Sequence, residues 1–386
     1  MIYIVLIIFL ILLFIATFIY KSNIFSPWII TTSIWILIIL LSIFFSGVLY
    51  PLGNKFYLSI ILWVFFFFVS SIFFSKISKT HNIDNNLNDK VLDFFLMISI
   101  LFTPLYLKEI YDNVLQNGTG SLLFDLRYQA LNGERDLGIL LYLKNFNKAL
   151  LILEFLRKKI NRKKLITIII INFFVGVSIM EKGTFFFITF IIIFFLYQRN
   201  KVSKKVLFIV VVSFLTLSFS INSIRSHQSS SKIGFEDFFA IYALSPSVAF
   251  ETIEFKGGAS ESFGANTFPF FYNVSNTLLG TDFIIEKKMQ EFVNVPLPTN
   301  VYTIMQPFYE DFGYLGIVVF GIVFGAFCGS IYKKSMTSKY YLGIYSYLAS
   351  LLALQFFQEE FFVSFSVFLQ ICFVIYFPFL LRKIRY

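Results

Sequence analysis

Apolar runs separated by short polar breaks recur along the chain from end to end. An apolar run of about 18 residues or more crosses roughly 30 Å of hydrocarbon as an α-helix. Read this way, the pattern predicts eleven helices, at 2–20, 27–48, 56–75, 91–107, 138–156, 165–180, 184–198, 205–221, 314–332, 340–357 and 361–380. The sixth and seventh are short and separated only by "EKGT", so a tight re-entering pair is expected there. The expected fold is an all-α polytopic membrane protein, one integral domain over 1–386. The first cation, Lys21, follows the first apolar run, and no small-residue cleavage site is evident, so this segment reads as a retained span and not as a cleaved signal.

Two breaks are long: 108–137 and 222–313. Composition agrees with the pattern, because only 14% of residues are charged where a soluble domain carries roughly a quarter. The 55 phenylalanines, with abundant Ile, Lys and Asn, fit AT-rich coding as well as a membrane setting. Cys328 and Cys372 both lie inside apolar runs, which excludes a disulfide framework or a cysteine-based metal site. No ligand cluster calls for a metal, and no Walker or dinucleotide motif calls for a cofactor.

Charge sets the orientation. Lys21, the 76–90 break, "RKKINRKK" (157–164), "RNKVSKK" (199–205), "KKSMTSK" (333–339) and the tail "RKIRY" hold 20 of the 32 Lys and Arg but only Asp84 and Asp89 among the acids. Eleven spans place all of these on one side, which the positive-inside rule makes the cytoplasm. The N-terminus is then outside and the C-terminus inside, and the outer face holds both long loops and 18 of the 22 acids. The net charge of +10 is a topology signal, and no nucleic acid is implied.

Chemistry is therefore expected in the outer loops. Arg127 and Arg135 in the first loop and Arg225 in the second are the only outer arginines. A guanidinium presents a fixed fork of donors suited to phosphate oxygens. His227 is the one outer side chain that titrates near neutrality without perturbation. The segment 235–255 is too apolar for a free loop and too polar for a span, so it reads as interfacial or re-entrant. "FIIEKKMQEF" (283–292) puts Ile285, Met289 and Phe292 on one helical face and predicts an amphipathic surface helix. Near the spans stand Glu181–Lys182, Glu359–Glu360, and Lys144 and Lys148 one turn apart beside Asn147; Glu154 is expected to pair with Lys158.

The densest polar chemistry is "PLPTNVYTIMQPFYEDFGYLG", 296–316, at the mouth of the ninth span. Pro296, Pro298 and Pro307 rule out a continuous helix, so the chain is expected to turn or extend between them. An interfacial aromatic belt accounts for Tyr302, Tyr309 and Tyr314 but not for Asn300, Thr303, Glu310 and Asp311 among them. For Asp311 a plain helix-capping role is an equal alternative.

This segment resembles the Pro-x-x-Asn-x-Tyr-Thr … Phe-Tyr-x-Asp-Phe-Gly-x-x-Gly signature of Wzy-type O-antigen and capsule repeat-unit polymerases, with Asn300, Tyr302, Thr303, Phe308, Tyr309, Asp311, Phe312, Gly313 and Gly316 at the matching positions. "YALSPSVAFETI" (242–253) is similar to a segment such proteins carry upstream. An Arg-x10-Gly pattern found in the family fits Arg127 to Gly138, whereas Arg225 has Glu236 at that spacing; the family's Gly-x-Arg between the short central spans reads "MEKGT" here.

The resemblance implies a glycosyltransferase of the bacterial inner membrane, without metal or cofactor, acting on undecaprenyl-diphosphate-linked glycans at the extracytoplasmic face. It implies that Arg127, Arg135 and Arg225 absorb charge on the leaving diphosphate and that Asn300, Tyr302 and Tyr309 line the sugar path. His227, Glu310 and Asp311 are the candidate bases for the acceptor hydroxyl. Membrane lipid and a chain-length regulator protein are the expected partners. The rivals are an O-antigen ligase, a lipid-linked oligosaccharide flippase, and a structural partner of a glycan machine. A flippase should show shorter, more even loops and often two related halves.

Overall fold

The computed structural model describes residues 1–45, 47–79, 86–117, 125, 126, 129, 137–200, 240–256, 263–285, 290–296 and 298–381. Helices dominate. In chain order they are α1 (Ile2–Phe14, continued by a π-helical turn, Ile15–Ile19), α2 (Pro27–Phe44), α3 (Asn54–Ile77), α4 (Asp89–Asn117), α5 (Leu143–Leu156), α6 (Arg162–Ser178), α7 (Lys182–Gln198), α8 (Ser245–Phe250), α9 (Pro269–Leu279), α10 (Gln306–Ser335), α11 (Lys339–Ala353) and α12 (Phe365–Leu380). Among the described residues, five stretches are long and apolar enough to cross a membrane: Ile2–Ile19, Pro27–Phe44, Asn54–Ile77, Asp89–Gln116 and Gln306–Ser335. The span expected at 205–221 lies outside the described residues.

The chain forms two compact units. Unit 1 comprises Met1–His81, Gly234–Thr337 and Leu348–Phe368, and unit 2 comprises Asn82–Ile233, Ser338–Tyr347 and Leu369–Tyr386.

Unit 1 is built on the contact between α3 and α10. Gly321, Gly325 and Gly329 recur every fourth residue and form a side-chain-free stripe on α10. A Cβ on Gly325 would stand 2.7 Å from the Phe67 carbonyl oxygen, and one on Gly329 2.1 Å from that of Ser71. The stripe lets the two backbones touch, the close approach that small residues permit between membrane helices. Ser70 Oγ reinforces it by donating to the Ile322 carbonyl at 2.7 Å.

Above this seam the core is aromatic: Phe308 stacks on Phe320 with ring centroids 4.5 Å apart and on Trp63 at 5.7 Å. Phe324 packs on Phe361 at 4.8 Å. The indole N–H groups of Trp35 and Trp63 both donate to Oε1 of Gln355, at 3.1 and 2.9 Å, so neither is left unpaired in this apolar interior.

α10 starts at Gln306, not at 314 as the pattern predicts. Pro307 is no obstacle, because it occupies the first turn, where a missing N–H costs nothing. The break falls instead at Gly313, whose φ of 63° and ψ of −150° interrupt the helix. Upstream the chain does turn: Val293–Asn294 (β1) pairs antiparallel with Pro298–Thr299 (β2).

Unit 2 holds α4 to α7. Ser99 Oγ donates to the side-chain Oδ1 of Asn147 at 2.7 Å, and Asn172 Nδ2 donates to the Asn147 backbone carbonyl at 3.1 Å, joining three helices through one buried residue. At the end of α5, Arg157 meets Glu154 at 2.7 Å, Asp93 at 2.6 Å and Asp89 at 3.2 Å, while Lys164 meets Asp93 at 2.6 Å. The expected Glu154–Lys158 pair is thereby corrected to Glu154–Arg157. α5 ends at Leu156, and Arg157 turns out of helical geometry at φ −56°, ψ 146°, so the i,i+4 alignment is lost.

The surface helix expected over 283–292 is corrected as well: 283–285 and 290–292 are not helical. Gly280 takes a left-handed turn at φ 65°. Asn276 then holds the returning chain, its Oδ1 accepting from Thr281 Oγ1 at 2.8 Å and from the Phe283 N–H at 3.0 Å. The segment read as interfacial or re-entrant contains α8, all six residues of which are buried in unit 1.

Candidate functional site

Three carboxylates shape one end of unit 1, each through neutral donors. α3 opens at Gly53, which has no side chain to cap the helix. Glu251, just past α8, supplies the acceptor: its Oε1 takes the Phe56 N–H at 2.7 Å. Lys55 fastens the same junction by donating to the Ile253 carbonyl at 2.7 Å and to the Glu251 carbonyl.

Asp311, in the first turns of α10, binds the loop that precedes α9. Its Oδ2 accepts from Thr267 N–H at 2.8 Å and Thr267 Oγ1 at 2.7 Å, and its Oδ1 accepts from Asn266 Nδ2 at 2.9 Å. Gly264 at φ 73° lets that loop turn tightly beneath Phe268 and Phe312. Asp311 thus caps a neighbouring loop and not the helix that carries it.

Glu359 lies in the segment between α11 and α12. It accepts the N–H groups of Phe361 (2.7 Å), Phe362 (2.9 Å) and Val363 (2.7 Å). Burial pushes its carboxyl up to about 7; the three N–H bonds pull the other way, and the Glu360 carboxylate adds to the rise.

Glu359 and Asn266, the residue Asp311 holds, both line a small open cleft with about 40 Å³ of interior room, walled by Asn266, Pro269, Gln290, Asn300, Val301, Tyr302, Gln306, Gln358, Glu359 and Val363. Five of the lining residues are carboxamides, each both donor and acceptor. Tyr302 adds a phenol whose OH donates to the Glu291 carbonyl at 3.1 Å. Burial, then the Glu310 and Glu291 charges, raises its pKa, so it remains a protonated donor. No lysine or arginine is among these lining residues. The wall suits an uncharged, polyhydroxylated ligand better than a phosphate.

Of the residues singled out in the sequence, Asn300, Tyr302 and Glu359 line this pocket. Glu310 and Asp311 stand behind the wall. Glu310 pairs with Lys256 at 2.5 Å and accepts from Gln306 at 2.5 Å, while Asp311 positions Asn266. Tyr309 does not line it; its ring packs on Phe250 at 5.4 Å and Tyr314 at 5.2 Å, with the Lys55 ammonium 5.5 Å away. His227, Arg127, Arg135 and Arg225 lie outside the described residues. Sequence reading missed Asn266, Gln290, Gln306 and Gln358. Gln306 sits inside the signature itself, whereas Asn266 is a single asparagine in a loop without any pattern to mark it.

Unit 2 has its own polar cluster. Lys144 pairs with Glu181 at 2.6 Å, and Thr184 Oγ1 donates to the same carboxylate at 2.6 Å. Burial opposes ionisation of Glu181, but the Lys144 and Lys148 charges prevail and hold it well below the usual carboxylate range. The Lys148 ammonium also faces the Phe187 ring at 5.5 Å. Among the described residues no group of three or more His, Cys, Asp or Glu is arranged to hold a metal ion.

Compared with known proteins, the chain matches no family model, no curated protein and no solved structure.

Proposed function

We propose that this chain is a Wzy-type glycosyltransferase that polymerises undecaprenyl-diphosphate-linked repeat units at the extracytoplasmic face of a bacterial inner membrane. The observation that carries the reading is the carboxamide-lined pocket. It takes Asn300, Tyr302 and Gln306 from the very segment that resembles the polymerase signature, and its donors and acceptors suit sugar hydroxyls. In this reading the incoming repeat unit's terminal sugar rests against Asn300, Tyr302 and the flanking amides. Its hydroxyl attacks the anomeric carbon of the growing glycan, the bond to the diphosphate breaks, and the hydroxyl proton passes to a carboxylate. Glu359 is the carboxylate on the pocket wall, and a pKa near 7 suits a base at neutral pH. Glu310 and Asp311 do not line the pocket and hold its wall from behind. Arg127, Arg135 and Arg225 remain the groups proposed to neutralise the leaving diphosphate.

The test is a gene deletion in the host, with the surface glycan resolved on a gel and the gene restored as wild type, Asn300→Ala or Arg127→Ala. The expected result is a ladder that collapses to a single repeat and is rescued by wild type, with each variant at least roughly tenfold poorer in polymer at equal protein level. Loss of all attached glycan would favour the ligase or flippase reading, and an unchanged ladder would sink the assignment.

A further inference from the structure

α9 carries no charged residue, and Tyr272 is the only ionisable side chain from 263 to 281. Phe271, Val274 and Leu278, at i, i+3 and i+7, share one face, and all three are exposed. Leu278 and Leu279 each show 76% of their surface, and past the Gly280 turn Phe283 and Ile284 are exposed too. Asn273, Asn276 and Thr277 take the opposite side.

The helix is moored at a defined level. Phe271 stacks on Phe365, the first residue of α12, with centroids 5.8 Å apart, and Phe270 meets the same ring at 5.5 Å. Phe268, just before α9, packs on Phe320 of α10 at 5.7 Å. The exposed apolar face therefore starts beside the first residue of the apolar helix α12. A helix with one apolar and one uncharged polar face, packed beside apolar helices, matches the boundary between acyl chains and headgroups.

We propose that α9 is a membrane-surface helix, its Phe271–Val274–Leu278 face embedded in the lipid of the bilayer the chain spans. It thereby sets the mouth of the amide-lined pocket at the lipid surface, since Pro269, its first residue, and Asn266 are part of the pocket wall. A ligand whose polar head enters that pocket can then keep a lipid tail in the bilayer. The membrane contact of α9 stands whatever the pocket binds.

The test uses the full chain in phosphatidylcholine nanodiscs, with Cys328→Ala and Cys372→Ala and a spin label at Leu278→Cys or, separately, Asn273→Cys. Oxygen partitions into lipid and a nickel chelate stays in water. At 278, oxygen should relax the label roughly severalfold more than nickel does, with the order reversed at 273. Greater nickel access at 278 would place the helix in water, and access by neither reagent would mean a second copy or another protein covers it; either result overturns the proposal. As a check free of substitutions, a phosphatidylcholine bearing a diazirine on its acyl chain is photolysed with wild-type protein. Adducts are expected within 269–279 as well as in the apolar helices, and labelling of the helices without α9 would equally overturn it.

Discussion

Glu154 in unit 2 and Asp311 in unit 1 are both buried carboxylates, but they meet different partners. Glu154 faces the Arg157 guanidinium, whereas Asp311 meets a backbone N–H, a hydroxyl and an amide, all neutral. Glu251 and Glu359 follow the second pattern, accepting backbone N–H groups, and Asp93 and Glu181 follow the first, accepting lysine or arginine. Glu310 of unit 1 departs from this by pairing with Lys256. An ion pair joins two side chains and clamps helix ends. A carboxylate that takes backbone N–H groups fixes the path of a loop, which is what a pocket wall needs. Helix packing divides the same way: α3 and α10 of unit 1 meet backbone to backbone at Gly325 and Gly329, while the nearest neighbours of Gly343 in unit 2 are methyl groups of Leu156, Ile375 and Ile152.

The largest expected effect comes from breaking the unit 2 clamp. Arg157→Ala strands Glu154, only 1% exposed, and should cost about 3–5 kcal/mol, read as a drop in thermal unfolding temperature in detergent. Because the clamp is a side-chain matter, adding Glu154→Gln and replacing Arg157 by Met should recover most of that loss. No such rescue is open to Asp311, whose partners include a backbone N–H. An Arg157→Ala protein as stable as wild type would erase the distinction.

Next comes the helix seam. Gly329→Ala sets a methyl against the Ser71 backbone carbonyl at 2.1 Å, which no rotamer change relieves. It should cost about 3 kcal/mol, at the upper end for overpacking. Gly343→Ala meets methyl groups at 3.0, 3.1 and 3.4 Å that can shift, so its cost should stay within about 1 kcal/mol. Equal losses in the two variants, followed by the same unfolding measurement, would show that the seams do not differ.

How far the sequence foretold these features follows from their range. Apolar period and length located helices α1 to α7 and α10 to α12, because an apolar run is a local property of the sequence, although α4 runs on to Asn117, past its expected end at 107. The start of α10 was misplaced because Pro307 reads as a breaker until its place in the first turn is known. The amphipathic helix was expected at 283–292 and lies at 269–279, since a left-handed turn at Gly280 and the Asn276 clamp depend on chain return. Asn300 and Tyr302 were legible because a dense polar segment beside a span is conspicuous. Asn266 and Gln290 were not, because only tertiary folding brings those loops to the same wall.

The smallest effect tests whether Glu359 truly belongs with Asp311. Its carboxyl moves from an ordinary 4.5 to about 7 on folding, with burial the chief cause. Between those values this group binds more protons in the folded chain than in the unfolded one, so the Glu359 contribution to stability should fall as pH rises from about 4.5 to about 7. Allowing for relaxation of the site, the change should be on the order of 1 kcal/mol. Unfolding temperatures collected from about pH 4 to 8 should show that slope in wild type and lack it in Glu359→Gln. The variant itself should sit lower throughout, because an amide offers one acceptor oxygen where the carboxylate serves Phe361, Phe362 and Val363 with two. A rise in stability over the same interval would mean that the three N–H bonds outweigh burial and hold the group ionised. Glu359 would then be a loop anchor like Asp311, and its part in taking a sugar hydroxyl's proton would have to be given up.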